Sequence, residues 1–254
     1  MNKIKHYLTR RILRQQAIPF TIWSGVINQI PILASLTNKE KARLRLLTTL
    51  FLDKKSFTGT HGLVITLEMK ITVAAQACLE ILYLGLDSFD GWVEIIIYPT
   101  AFIIKREVID ENGLVHTEEN GLSGESWGRG PVILSWEDVE KDSQCLDPGH
   151  NVVIHEFAHK LDMLTGRTNG LPPLHPDMPI QQWAAVLNEA YSTLIHRLDH
   201  RQQTYFNTYA ATNPAEFFAV ICEYFFTTPH TLKSHRPKVY QQLKSYFKQD
   251  PVTR

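Results

Sequence analysis

Apolar positions change period along this chain, and the changes mark out its elements. Residues 1–16 read as a basic helix with Ile4, Leu8 and Ile12 on one side, its charges solvated. From Thr37 a second helical pattern runs through Arg43, Leu46 and Leu50, and Thr37 and Glu40 stand at the spacing of a capping box. Residues 66–86 again read as helix, packed closely around Ala74, Ala75 and Ala77. Strand character then takes over. Trp92–Tyr98 and Phe102–Lys105 are β-branched and aromatic, and Asp110–Gly113 is a turn signal. Residues 117–130 are polar and glycine-rich, which predicts a loop near a cleft rim. Pro131–Ser135 predicts a short strand whose proline suits an edge position or a strand start.

Helical spacing returns with Val153, Phe157, Leu161 and Leu164, a stripe that predicts one buried face. Asp147-Pro148 offers an N-cap and a first-turn proline, and Thr165-Gly166 a stop. A loop with Pro172, Pro173, Pro176 and Pro179 leads to a helix near 180–200. Asn213-Pro214 opens another helix, heavily aromatic and aliphatic through Phe226, and a last one is expected near 236–248. Strands followed by helices predict an α+β fold.

Composition narrows the function without defining it. At 254 residues the chain can bury a substantial core, so one domain is expected, with a helical N-terminal region over 1–60 and the core over 61–254. Lys+Arg and Asp+Glu both number 26, so net charge makes no case for direct nucleic-acid binding. Apolar runs such as Ile95–Tyr98 are far too short to span a bilayer, and the basic first residues lack the apolar stretch of a secretory signal. Cys78, Cys145 and Cys222 are odd in number, far apart and in no CxxC pair, as expected of buried thiols in a reducing compartment. A cytoplasmic protein with no membrane association is the expectation.

The chemistry sits in residues 155–159, His-Glu-Phe-Ala-His. On a helix His155 and His159 project one turn apart from the same face, where two imidazoles can share a metal ion, and Glu156 points into the adjoining space. A hydrolytic zinc site needs a third protein ligand and an open position. Glu216 and Glu223, seven apart on the polar stripe of the helix after Asn213, are carboxylates on a mostly buried element and need partners. Glu216 stands three residues after Asn213, so a capping-box role and a ligand role are equally open. Glu223 is the weaker ligand candidate, more suited to supporting one. Asp162 stands where it could orient an imidazole, or it could be solvated near the helix end. His150 is expected at the helix start and His175, His196, His200, His230 and His235 at the surface, while Trp136 and Trp183 suit packing. Cys145 with His150 lacks an orienting third group for a thiol nucleophile.

The run His155–Asp162, followed by Tyr209-Ala-Ala-Thr-Asn-Pro-Ala-Glu216-Phe-Phe-Ala219, resembles the Mlc titration factor A family of bacterial metallopeptidases. Both motifs are more distantly similar to the catalytic region of anthrax lethal factor. The resemblance extends over most of the chain, Gly130–Trp136 included. It implies a zincin-like metallopeptidase fold, a small mixed sheet beside an HExxH active-site helix. It also implies one zinc ion bound by His155, His159 and Glu216, with Glu156 as the catalytic carboxylate and Tyr209 as the transition-state stabiliser. The implied activity is that of a zinc peptidase of gluzincin type, aminopeptidase-like, acting on short peptides or amino-acid derivatives. By analogy with such peptidases, the backbone of residues 132–135 would pair with an extended peptide. The family also binds the transcriptional repressor Mlc, which controls glucose-uptake genes. The chain could therefore serve mainly to sequester that repressor, with weak or latent hydrolysis. A closed, purely structural zinc site is the third possibility.

Overall fold

A computed structural model describes residues 11–109, 115–122, 124–126, 130–145 and 147–254. The Asp110–Gly113 turn and most of the basic N-terminal helix lie outside them; residues 11–15 are helical. The N-terminal region contributes the helices Phe20–Gln29, Pro31–Ala34 and Asn38–Lys54, the last opened by the expected reciprocal cap between Thr37 and Glu40. All three pack against or beside the helix Leu67–Glu80, which is buried along nearly its whole length. Its alanines permit that close approach.

Strand β1, Ser56–Gly59, falls inside the region expected to be helical. It pairs in parallel with β2, Glu94–Tyr98. Strands β3, Phe102–Ile109, and β4, Val115–Leu122, form a separate antiparallel ribbon. Strand β5, Gly124–Ser126, then pairs antiparallel with β6, Val132–Ser135, which itself runs parallel to β2. The main sheet therefore has the order β1-β2-β6-β5, with three parallel strands and one antiparallel edge. The fold is α+β, a small sheet among many helices.

Two expectations are corrected here. Most of residues 117–130 is strand rather than loop. Backbone pairing alone can hold an antiparallel ribbon, and this polar stretch carries no alternating apolar signal to announce it. Strand β6 is interior, with β2 on one side and β5 on the other, so its backbone has no open edge for a peptide. Its proline, Pro131, simply precedes the strand. Among the described residues, the edge strands of this sheet are β1 and β5.

The HExxH segment is the helix Val152–Asp162. It starts at Asn151, whose side chain accepts the Ile154 N–H, and not at Asp147-Pro148. Gly149, at φ +86°, turns the chain between the two, and a Cβ there would lie 2.5 Å from the Tyr224 ring. Val153, Phe157 and Leu161 form the buried stripe as expected, but Leu164 is 42% exposed. The α-helix ends at Asp162, and the 3₁₀ turn Met163–Thr165 rotates Leu164 off the stripe before Gly166 closes it in the left-handed region. Phe157 packs among Phe51, Phe89 and Trp92, with ring centroids 5.1–5.8 Å away. The helix is thereby fixed against the N-terminal half of the chain. On its other side it packs on the helix Pro214–Thr227, itself anchored by Phe225, Phe226 and Phe247. Aromatic pairs of this kind contribute about 1 kcal/mol each beyond their burial. Both helices that carry the motif residues are thus held rigidly.

Candidate metal centre

His155 and His159 lie on the Val152–Asp162 helix, and Glu216 on the first turn of the helix Pro214–Thr227. Asn213 caps the second helix through its own carboxamide, which accepts the Ala215 and Glu216 N–H groups. The Glu216 side chain does not return to the Asn213 N–H to close a capping box. It reaches across to the two imidazoles: Glu216 Oε2 lies 3.0 Å from His155 Nε2 and 3.3 Å from His159 Nε2. The two Nε2 atoms are 3.2 Å apart. Three ligand-type atoms from two helices thus form a nearly equilateral triangle. Ligands about 2.0–2.1 Å from a tetrahedral ion are separated by roughly 3.3 Å, so the triangle fits a zinc-sized cation. Among the described residues, these three form the one group of histidine, cysteine and carboxylate side chains with such convergence.

Electrostatics points the same way. Burial opposes charge on His155, but the carboxylates of Glu216 and Glu223 outweigh it and hold its pKa well above the ordinary histidine value. Burial also opposes charge on Glu216, and hydrogen bonds and charge from the two histidines outweigh that, holding its carboxyl far below the usual range. The cluster favours positive charge at its centre, which a divalent cation supplies without protons.

His155 is oriented from behind. Its Nδ1 lies 2.8 Å from Glu223 Oε1, a bond that in the neutral ring holds the proton on Nδ1 and keeps the Nε2 lone pair available for a metal. The other oxygen of Glu223 accepts the Asn151 N–H at 2.5 Å, so one buried carboxylate ties the helix start to the ring. Asp162 does not play the matching part for His159. Its Oδ2 accepts the Gly170 N–H and holds the following loop, while Asp162 Oδ1 and His159 Nδ1 have no hydrogen-bond partner among the described residues. Glu156 is buried on the same helix. Tyr209 sits on the 3₁₀ turn Thr208–Ala211, 45% exposed, with its ring 5.9 Å from that of His155. Lys160, one turn after Glu156, donates to the Gly130 carbonyl and stands over the Trp92 ring, and burial lowers its pKa to about 8.

Several supporting residues escaped the motif reading. Asp142 Oδ2 accepts from both the Val152 N–H and the His150 ring, which places His150 at the helix start as expected. Gln76 accepts from the Asn151 side chain at 2.7 Å. Glu80 is fully buried beside this network, and burial pushes its pKa well above the carboxylate range. Nothing in sequence spacing links residues 76 and 80 to 151 and 155. His175 is not simply a surface residue, since its Nε2 bonds to the Tyr246 carbonyl. Trp183 packs in the core, donating to the Gly170 carbonyl.

A family profile described as "Glucose-regulated metallo-peptidase M90" matches residues 4–248. The chain is 39% identical over 242 residues to Mlc titration factor A of Serratia proteamaculans (strain 568), covering 94% of this chain and 91% of that protein. It is 38% identical over 244 residues to Mlc titration factor A of Yersinia pestis (strain Pestoides F), covering 95% and 89%.

Proposed function

Because the chain belongs to the glucose-regulated M90 metallo-peptidase family, we propose that it is a zinc peptidase of zincin-like architecture, acting as one catalytic unit in the cytoplasm. The observation that carries this is the triangle of His155 Nε2, His159 Nε2 and Glu216 Oε2, with sides of 3.0, 3.2 and 3.3 Å. In this reading those three residues hold the zinc. When bound there, zinc would supply Lewis acidity for activating a water and polarising a carbonyl. Glu156 takes the proton from the attacking water at its carboxylate and delivers it to the leaving nitrogen. The Tyr209 phenol hydrogen-bonds the oxyanion as charge develops, a contact stronger in the transition state than in the ground state. Glu223 keeps the His155 ring aimed through its Nδ1–H bond. An extended substrate would lie along the outer edge of β5, which has no strand partner among the described residues and is the sheet edge nearest the HExxH helix. The substrates of this proposal are short peptides and amino-acid amides, cleaved in aminopeptidase fashion.

A second reading rests on the name of the relatives, Mlc titration factor A. The chain would then also bind the repressor Mlc, with hydrolysis subsidiary. One experiment separates the two. Zinc-loaded wild type and Glu156→Gln are assayed against a panel of chromogenic amino-acid and short-peptide amides, and both are tested for Mlc capture. The peptidase reading requires hydrolysis by wild type and a loss of about 10²–10⁴-fold in the variant, with zinc retained. Hydrolysis in neither, with Mlc held equally by both, would leave titration as the function.

A further inference from the structure

A cavity of about 630 Å³ opens on the face of the molecule formed by the helices Phe20–Gln29, Leu67–Glu80 and Trp136–Ser143. That volume is in the range of small-molecule sites. Val26, Met69 and Trp136 give it an apolar side, while Glu68 and Glu140 bring carboxylates. Among the described residues lining it there is no Lys, Arg or His. Gly25 borders the cavity from the middle of its helix, and a Cβ there would meet nothing within 4 Å. Its φ is not positive, so the backbone does not require glycine, although glycine weakens a helix interior. Gly25 is exposed, so the open space beside it is the solvent-facing mouth of the cavity.

The cavity is also joined to the metal centre. Ser143 lines it, and the Ser143 hydroxyl accepts the Gln76 side-chain N–H at 2.9 Å. Gln76 accepts from Asn151, the Asn151 N–H donates to Glu223, and Glu223 holds His155 Nδ1. Each of these groups is buried or nearly so, so a shift in one is poorly absorbed by solvent.

We propose that this cavity is a binding site for a small organic cation with an aromatic or branched apolar body, and that its occupancy alters metal affinity at His155. The apolar body lies against Met69 and Trp136, and the ammonium or amidinium faces Glu68 and Glu140. Displacement of Ser143 passes through Gln76 and Asn151 to Glu223 and so to the aim of the His155 ring. The coupling half rests on the zinc reading above; the binding half does not.

The test begins with calorimetric titration of the zinc-free chain with benzamidine and tryptamine, and with their neutral counterparts benzamide and indole-3-ethanol. Both cations should bind, with the neutral molecules at least about tenfold weaker. Gly25→Leu, which places a branched side chain in the mouth of the cavity and favours the helix, should weaken binding about tenfold or more, as should Glu68→Gln with Glu140→Gln. Thermal melts check that each variant is folded. No heat from either cation up to about 5 mM, or binding that both sets of substitutions leave unchanged, would overturn the site. Zinc affinity, read by competition with a chromophoric chelator, should then shift about fivefold or more when the cavity is filled in wild type, and by less in Gly25→Leu at the same cation concentration. An unchanged zinc affinity with the cation bound would overturn the coupling. Neither readout uses hydrolysis, so a chain that binds cations but cleaves nothing would refute the peptidase reading alone.

Discussion

Replacing Glu223 with glutamine keeps the side chain's shape and removes one acceptor. In the wild type, Glu223 Oε1 accepts His155 Nδ1–H and Oε2 accepts the Asn151 N–H, in a position 2% exposed. A carboxamide has a single oxygen, so in Glu223→Gln one of these donors must face an NH₂ group. If the oxygen turns to Asn151, His155 loses the bond that fixes its tautomer and aim. Support of this kind is worth about 10–100-fold in metal affinity, or roughly 1.4–2.7 kcal/mol. If the oxygen turns to His155, the Asn151 N–H is left buried without an acceptor, at about 1–3 kcal/mol of folding stability. For a chain of this size that is a fall in Tm of about 2–10 °C. Chelator competition measures the first loss and calorimetric melts of the zinc-free protein the second. The two losses should trade off, and at least one must appear. A Glu223→Gln variant with wild-type zinc affinity and wild-type Tm would refute the claim that this carboxylate orients His155.

Glu80 gives the clearest pH dependence. Both its oxygens are buried with no hydrogen-bond partner among the described residues, and burial raises its pKa well above 4.5. The folded state therefore holds a proton that the unfolded chain has released, so this residue lowers stability as pH rises above about 4.5, up to its folded pKa. Glu80→Gln should melt close to wild type at pH 4 and above it at pH 8; a gap that does not widen with pH would contradict this. Gly149→Ala should cost several kcal/mol by denaturant titration, since the residue is at φ +86° and the added methyl meets the Tyr224 ring; urea midpoints equal to wild type would count against that packing. Tyr209→Phe should lower kcat about 10²-fold or more while zinc affinity and KM stay near wild type; an effect on KM alone would make it a substrate-binding residue.

The HExxH helix was legible because its signals are local: two histidines at i and i+4, an apolar stripe at the same period, and a glycine stop. Helices opened by Thr37 and Asn213 were legible for the same reason, since a cap and its helix lie within four residues. The short strand at 124–126 and the interior position of β6 were not, because pairing between strands is decided by backbones that meet only in the folded chain. Asp147-Pro148 illustrates a local signal overruled. Both residues suit a helix start, yet the helix begins at Asn151, where the N–H groups of Asn151, Val152 and Ile154 each find a buried side-chain acceptor from Glu223, Asp142 and Asn151.

That start has a functional consequence. An isolated helix frays in its first turn, and His155 is only the fourth residue of its helix. Here the turn is pinned from three directions, by residues 142, 151 and 223, before the first histidine is reached. The same Glu223 that satisfies a backbone donor also aims the ring, so helix order and ring direction are one structural unit. Glu216 faces the opposite requirement: in the first turn of its own helix it must be free to leave the cap. Asn213 caps that helix by taking the Ala215 and Glu216 N–H groups, and the Glu216 carboxylate does not reach back to the Asn213 N–H. Cap and ligand stand equal on spacing alone; in the folded chain the carboxylate lies against the two histidine rings and not against the Asn213 N–H, the placement that the proposed ligand role requires.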